Sequence, residues 1–387
     1  VVFSRGCPWK CAFCGSPGFW GGKIRFHSPQ NFVQHLELLY NKGITFFYVS
    51  DDNFTINKNG VIDICKRILD KGLKIVWVAI SRVGYVDEEI LYWMRKAGCI
   101  QISYGIESGS EKIRDLLNKN VKTDQVENAF SLTCKYGMIA RAYFIYGSPG
   151  ESRETIQDTI DLINKIKPLV CVLYILEIYP GTRLYSDFQK KFNVTDDIWL
   201  KRIEGIYYFE TDPRLSQESV FAFGKMIRSE LYENINHFVE AVELIDKEEL
   251  YEMHSDFWSR LGMTFSHGDY SKIEAIKDKE RIAEKLFGKS LSYYPNHRAY
   301  MGLGLIQQDR RDFKGAVKIL SEGVELFPES QELNLCLGIS YMNLENFNKA
   351  LTYLLKLEHS KEAEYYISKC YHYKNLNSSS RSDGLER

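Results

Sequence analysis

Short apolar runs recur through the first half of the chain, at residues 1–3, 44–50, 73–80, 100–106, 139–146 and 170–178. Between them apolar residues return every three or four positions: Phe32, Leu36 and Leu39; Ile62, Cys65 and Leu69; then stretches 90–94, 129–134 and 156–166. The first pattern predicts strands and the second amphipathic helices. Strand–helix alternation predicts right-handed βαβ units and a parallel sheet. Six units predict an α/β fold, a partial six-stranded (β/α)6 TIM-like barrel over residues 1–190. Along 100–107, Ile100, Ile102, Tyr104 and Ile106 share one face, while Gln101, Ser103, Gly105 and Glu107 share the other. Along 140–147 the split is Ala140, Ala142, Phe144 and Tyr146 against Arg141, Tyr143, Ile145 and Gly147. The apolar faces should pack on helices and the other faces should line an interior space.

Alternation stops after Pro180-Gly181-Thr182. A mixed region with Trp199 and Tyr207-Tyr208-Phe209 leads into a helical pattern over 216–245, which Ser216 can cap. Residues 191–262 thus form an extension or lid. The chain then repeats itself: Leu303-Gly304, Ala316 and Leu320 recur 34 residues later as Leu337-Gly338, Ala350 and Leu354. A weaker copy, Ala283, Phe287 and Pro295, precedes them. This period resembles tetratricopeptide repeats and implies an all-α tetratricopeptide-like helical repeat domain over 263–375. Such solenoids bind peptides or proteins in a groove, or serve only as structure. Residues 376–387, rich in Ser, Asn and Arg, are expected to be a disordered tail.

At 387 residues two or three domains are expected. Lys plus Arg (50) balance Asp plus Glu (51), which gives no electrostatic case for nucleic acid or membrane. No apolar run approaches the ~18 residues of a membrane span. Nine cysteines in a chain this long do not form a disulfide framework. Six of them (65, 99, 134, 171, 336 and 370) lie in apolar periodic segments and are expected to be buried free thiols, which fits a reducing cytoplasm. The first residue is Val, not Met, and already reads as strand, so we expect an N-terminally truncated fragment.

The other three cysteines carry the chemistry. Ser4-Arg5-Gly6-Cys7-Pro8-Trp9-Lys10-Cys11-Ala12-Phe13-Cys14 spaces them C-x3-C-x2-C. Clustered thiolates select iron–sulfur clusters, zinc or copper(I). Iron–sulfur cubes usually take four cysteines, so three would leave one iron open. The alternatives are a Cys3His zinc site with His27, or a redox thiol cluster. Zinc motifs favour two paired C-x2-C units, and the second is missing.

The strand ends expected to carry function read Asp51-Asp52-Asn53, Ser81-Arg82, Glu107-Ser108-Gly109-Ser110, Gly147-Ser148-Pro149-Gly150-Glu151 and Tyr179-Pro180-Gly181-Thr182. The C-x3-C-x-aromatic-C pattern with Phe13, followed by these motifs in order, resembles the radical S-adenosylmethionine superfamily, and within it the cobalamin-dependent branch. That resemblance implies a 4Fe-4S cluster on Cys7, Cys11 and Cys14 whose open iron chelates S-adenosyl-L-methionine and cleaves it to a 5′-deoxyadenosyl radical. It implies Asp51 and Asp52 near the methionine amino group, Glu107 on the ribose hydroxyls, and Phe13 and Ile145 beside adenine, with Gly147 in the cofactor-binding strand end. Arg82 would neutralise the methionine carboxylate or pair with a surface acid. Asp51 and Asp52 can equally cap the next helix, and Ser108 with Glu111 reads as a capping box. The branch implies methyl transfer through cobalamin held by a preceding module, which this sequence lacks. It also implies a flavodoxin- or ferredoxin-type electron donor. Tyr143 and Glu177 are pocket candidates for catalysis. The alternatives are a cobalamin-independent cyclase, mutase or thiolation enzyme, or a zinc-stabilised scaffold.

Overall fold

The computed structural model describes residues 1–200, 212–357 and 360–382, with side chains as far as residue 374. Tyr207-Tyr208-Phe209 lie outside the described residues. The chain divides into two compact units, Val1–Asp246 and Lys247–Arg387.

In the first unit, β1 (Ser4–Arg5) pairs antiparallel with β2 (Arg25–Phe26). Five parallel strands follow in the order β3 (Phe46–Val49), β4 (Val76–Ser81), β5 (Cys99–Glu107), β6 (Ile139–Tyr146) and β7 (Val170–Ile175), each beside its predecessor. Short helix α1 (Ser16–Trp20) follows the cysteine loop, and α2 (Pro29–Tyr40) leads into β3. The crossovers are α3 (Lys58–Asp70), α4 (Glu88–Lys96), α5 (Glu111–Leu116) with α6 (Thr123–Lys135), and α7 (Arg153–Ile166). Side-chain oxygens start several of them: Ser28, Asn57, Asp87 and Ser152 each accept from a backbone N–H of the first turn. Helix α8 (Arg183–Phe192) then precedes α9 (Gln217–Glu240), which Ser216 caps as expected. Helix α9 packs on α7, β6 and β7, and so belongs to the first unit.

Among the described residues the parallel sheet has five strands where six were expected. Residues 1–3 do not form the sixth: Val1 makes one parallel bridge to the end of β3, donating to the Tyr48 carbonyl at 2.9 Å and accepting from Ser50 N–H at 3.0 Å. The next donors turn away to a side chain. Phe3 N–H, Ser4 N–H and the Ser4 hydroxyl all donate to the Asp51 carboxylate, at 2.8, 2.6 and 2.5 Å. Phe3 anchors this stem, fully buried against the rings of Phe26, Phe32 and Phe54. Burying such a side chain is worth about 1.5–3 kcal/mol.

The two faces of the sheet differ as the alternation predicts along β6, whereas on β5 Ser103 and Glu107, expected on the lining face, are buried and a register irregularity interrupts the alternation after Gly105. Ile102, Tyr104 and Ile106 of β5 and Ala140, Ala142, Phe144 and Tyr146 of β6 are buried. The opposite face carries Tyr48, Gln101, Arg141, Tyr143 and Tyr174, which the register puts on one side of the sheet and which are all at least partly exposed. The sheet is curved, because Tyr48 on the first parallel strand faces Tyr143 on the fourth, with Tyr174 and Arg141 in electrostatic reach.

The second unit is all-helical: α10 (Tyr251–Ser266), α11 (Lys279–Tyr293), α12 (His297–Asp309), α13 (Phe313–Leu326), α14 (Gln331–Asn343), α15 (Phe347–Leu354) and α16 (Lys361–Ser382), each packed on the next. Helices α12 and α14 start 34 residues apart, as do α13 and α15. A small–large contact recurs in the hairpins, where the Cα of Gly304 abuts Leu320 and that of Gly338 abuts Leu354. Gly262 against Phe287 is a third copy that the sequence pattern missed. The segment between α10 and α11, with a 3-10 turn over Asp269–Lys272, displaces Gly262 from the 34-residue period. The helical unit starts at Lys247, whereas the sequence reading began the repeat domain at residue 263. Helix α16 also continues to Ser382, into the stretch expected to be disordered.

Candidate active site at the cysteine loop

Backbone bonds tie the cysteine loop to the neighbouring segments. Ala12 N–H donates to the Leu117 carbonyl at 2.8 Å, Leu184 N–H donates to the Ala12 carbonyl at 3.0 Å, and Asn118 Nδ2 donates to the Lys10 carbonyl at 2.6 Å. Gly6 turns the chain into the loop with φ of 100°, and any Cβ there would collide with the Lys23 carbonyl. Cys7, Cys11 and Cys14 are free and half-buried. Burial pushes the Cys7 and Cys14 thiols up, and both sense Cys11 and Asp52.

These residues fit an iron–sulfur cluster. Three soft donors share one loop, and Trp9 Nε1–H is buried beside them with no acceptor among the described residues. Arg82, 6% exposed, donates to the Cys11 sulfur at 3.6 Å and lies 4.4 Å from the Trp9 ring centre. Its other nitrogen donates to the carbonyls of Lys119 and Asn120. Among the described residues no three His, Cys, Asp or Glu side chains converge on a single-ion site, and His27 is exposed. A tetrahedral zinc site would bring thiolates within about 4 Å of one another. Ligands to separate irons of a cube need no such convergence.

The other expected site residues divide. Asp52 accepts from the Ser16 hydroxyl at 2.7 Å and faces the thiols, whereas the Asp51 carboxylate is committed to Phe3 and Ser4. Glu107 sits on a register irregularity of β5 with φ of 72°, a costly backbone for a non-glycine residue. Its carboxylate is buried and pairs with Lys119 Nζ at 2.6 Å, over the Cα of Gly105. Lys119 also lies 5.9 Å from the Phe13 ring centre. Phe13 and Ile145 pack on one apolar cluster with Ala12 and Leu117. Gly147 takes φ of 88° and donates to Glu151 at 2.6 Å. Burial pushes the Glu151 carboxyl up to about 7.

Two candidates stand apart. Glu177 is exposed and accepts from the Tyr179 hydroxyl, and Tyr143 lines the interior face below Ile145. Arg82 pairs with no carboxylate among the described residues. Ser108 is not a helix cap: α5 starts at Glu111, and the Ser108 hydroxyl accepts from Ser110 N–H. Sequence reasoning missed Asn118-Lys119-Asn120, which joins Arg82, Glu107 and the cysteine loop. The two flanking Asn residues, both left-handed at φ 52° and 49°, were the available signal.

Of the remaining six cysteines, Cys65, Cys99, Cys336 and Cys370 are buried and free, whereas Cys134 and Cys171 are free but partly exposed. No described helix is long and apolar enough to cross a membrane.

Residues 1–163 match the model of the Radical SAM superfamily. The chain is 38% identical over 187 residues to an uncharacterized methyltransferase of Pyrococcus horikoshii, covering 48% of this chain and 41% of that protein. It is 29% identical over 197 residues to the anaerobic magnesium-protoporphyrin IX monomethyl ester cyclase of Rubrivivax gelatinosus, covering 50% and 35%. It is 31% identical over 166 residues to the cytidylyl-2-hydroxyethylphosphonate methyltransferase of Streptomyces wedmorensis, covering 41% and 31%. The chain thus spans 31–41% of the length of these relatives. Each of these relatives is named as an enzyme, two of them as methyltransferases.

Proposed function

We propose, from the premise that residues 1–163 carry a radical S-adenosylmethionine domain, that this chain cleaves S-adenosyl-L-methionine reductively and transfers a methyl group. The observation that carries the reading is the set of free Cys7, Cys11 and Cys14 in one loop, with the Arg82 guanidinium on Cys11 and the Asp52 carboxylate facing the thiols. A 4Fe-4S cluster on these thiolates would supply one electron to the sulfonium at its open iron.

The protein's part is binding and positioning. Asp52, one of the two acids expected near the methionine amino group, has its carboxylate beside the loop. Asp51 acts one step back by fixing the stem through Ser4 and Phe3. Glu107, oriented by Lys119, would accept from ribose hydroxyls. Phe13 and Ile145 supply an apolar wall for adenine, and Gly147 turns the chain so that no side chain intrudes there. Tyr143 lines the substrate space, while Glu177 at the strand-end surface has no evident part in the chemistry.

Methyl transfer through cobalamin requires a corrin-binding module outside this chain, and an electron donor of flavodoxin or ferredoxin type. The helical hairpins are proposed to be tetratricopeptide-like and to hold a peptide or protein partner. A second reading, ring closure, is favoured by the similarity to the cyclase. Incubation of anaerobically reconstituted protein with dithionite, S-adenosyl-L-methionine and methylcobalamin tests the proposal. It predicts 5′-deoxyadenosine from the wild type and none from Cys11→Ala; equal release from both would refute it. S-adenosylhomocysteine that forms only when cobalamin is added supports methyl transfer over ring closure.

A further inference from the structure

Among the described residues, a guanidinium on the interior face of the sheet has no partner. Arg141, on β6, is partly buried and makes neither a hydrogen bond nor an ion pair with the described residues, and its Nε is fully buried without an acceptor. Leaving such a donor unmet costs about 1–3 kcal/mol, more for a charged group. Ser103 and Val170 flank it in the sheet register, and aromatic side chains stand around them. Tyr48 approaches from across the curved sheet, Tyr143 lies two residues along the same strand, and the Tyr174 ring lies 5.9 Å from that of Tyr143, tilted by 47°. Tyr48 and Tyr174 are 42% and 55% exposed, so both rings keep surface that a bound molecule can cover.

The register sets a depth. Ile145, against the cysteine loop, and Arg141 share a face of β6 four residues apart, which is about 13 Å along a strand. A molecule reaching from one to the other would meet the reactive end beside Ile145, aromatic walls at Tyr143 and Tyr174, and a positive charge at its far end. An acidic terminal group would satisfy the guanidinium by a charge-assisted bond, and a neutral one would leave it unmet.

We propose that the interior face selects a substrate with a flat apolar body and an anionic group, carboxylate or phosphoryl, that docks on Arg141 about 10 Å or more from the carbon that reacts. This rests on the reading of the barrel interior as the substrate site, and it can fail without that reading failing, because binding needs no turnover.

The test is calorimetric titration of the full reconstituted chain with 2-naphthoate, 2-naphthyl phosphate and neutral 2-naphthamide. The expected result is at least tenfold tighter binding of one or both anions than of the amide, and the stronger anion identifies the acidic group. Arg141→Gln should remove that preference while changing the amide affinity less than twofold, Arg141→Lys should restore part of it, and Tyr174→Ala should weaken all three probes. Equal affinity of anions and amide for the wild type, no saturable binding of any probe, or an equal loss of all three in Arg141→Gln would each overturn the proposal. If 5′-deoxyadenosine release persists in such a case, only the substrate class is lost.

Discussion

The Arg82 guanidinium donates a hydrogen bond to the Cys11 sulfur across 3.6 Å while lying over the Trp9 ring. Hydrogen bonds and charge near ligand sulfurs are among the factors that set iron–sulfur potentials. Removing this donor should make a bound cluster harder to reduce. Arg82→Gln is expected to lower the midpoint potential by roughly 60 mV, the one-electron equivalent of about 1.4 kcal/mol. Arg82→Lys, which keeps the charge, should shift it less. An electron-paramagnetic-resonance redox titration reads both, and an unchanged potential in the glutamine variant would mean that the contact does not act on the cluster.

Glu107 and Lys119 form a buried ion pair, 5% and 6% exposed. Loss of one partner strands the other charge, which typically costs about 3–5 kcal/mol. Lys119→Met should therefore lower stability by that order in urea unfolding. The double variant Lys119→Met with Glu107→Gln should recover much of the loss. Additive losses would show that the pair is not coupled.

Glu151 makes a pH prediction. Its folded carboxyl is raised to about 7 by burial, against the usual carboxylate value in the unfolded chain. Between about pH 4.5 and 7 the folded state holds the extra proton, so this group's contribution to stability falls as pH rises through that window and is flat above it. Glu151→Gln can still accept from Gly147 N–H and carries no titrating charge. The Tm difference between Glu151→Gln and wild type should grow from pH 5 to pH 8 in favour of the variant. A constant difference would contradict this assignment of the proton.

In the helical unit, Gly304 and Gly338 occupy equivalent contacts against Leu320 and Leu354. Added methyls there overpack the hairpins at a cost of about 1–3 kcal/mol. Gly304→Ala and Gly338→Ala should each lower the Tm of that unit by similar amounts. Destabilisation confined to one of the two would break the equivalence.

Recurring apolar runs marked all five strands of the parallel sheet, and a period of two over 139–146 separated its buried face from its lining face. That signal failed at residues 1–3, where apolar character was clear but the backbone donors go to the Asp51 side chain. Side-chain capture of that kind leaves no periodic trace. The cysteine spacing announced the loop, and the strand-end motifs located Asp52 and Glu107 near it. The counter-charge on Glu107 stayed hidden because Lys119 comes from a left-handed turn between α5 and α6 rather than from a strand end. The third repeat contact, Gly262 with Phe287, was masked by the longer segment between α10 and α11, since a fixed period cannot absorb an insertion.

The central claim is that Cys7, Cys11 and Cys14 hold an iron–sulfur cube with one open iron. Iron and acid-labile sulfide, measured together on anaerobically reconstituted full-length chain and on its Cys7→Ala, Cys11→Ala and Cys14→Ala variants, test it most directly. The account predicts about four of each per wild-type chain and a severe loss in each variant. Wild-type protein that takes up zinc but no iron or sulfide, or variants that load as fully as the wild type, would contradict it.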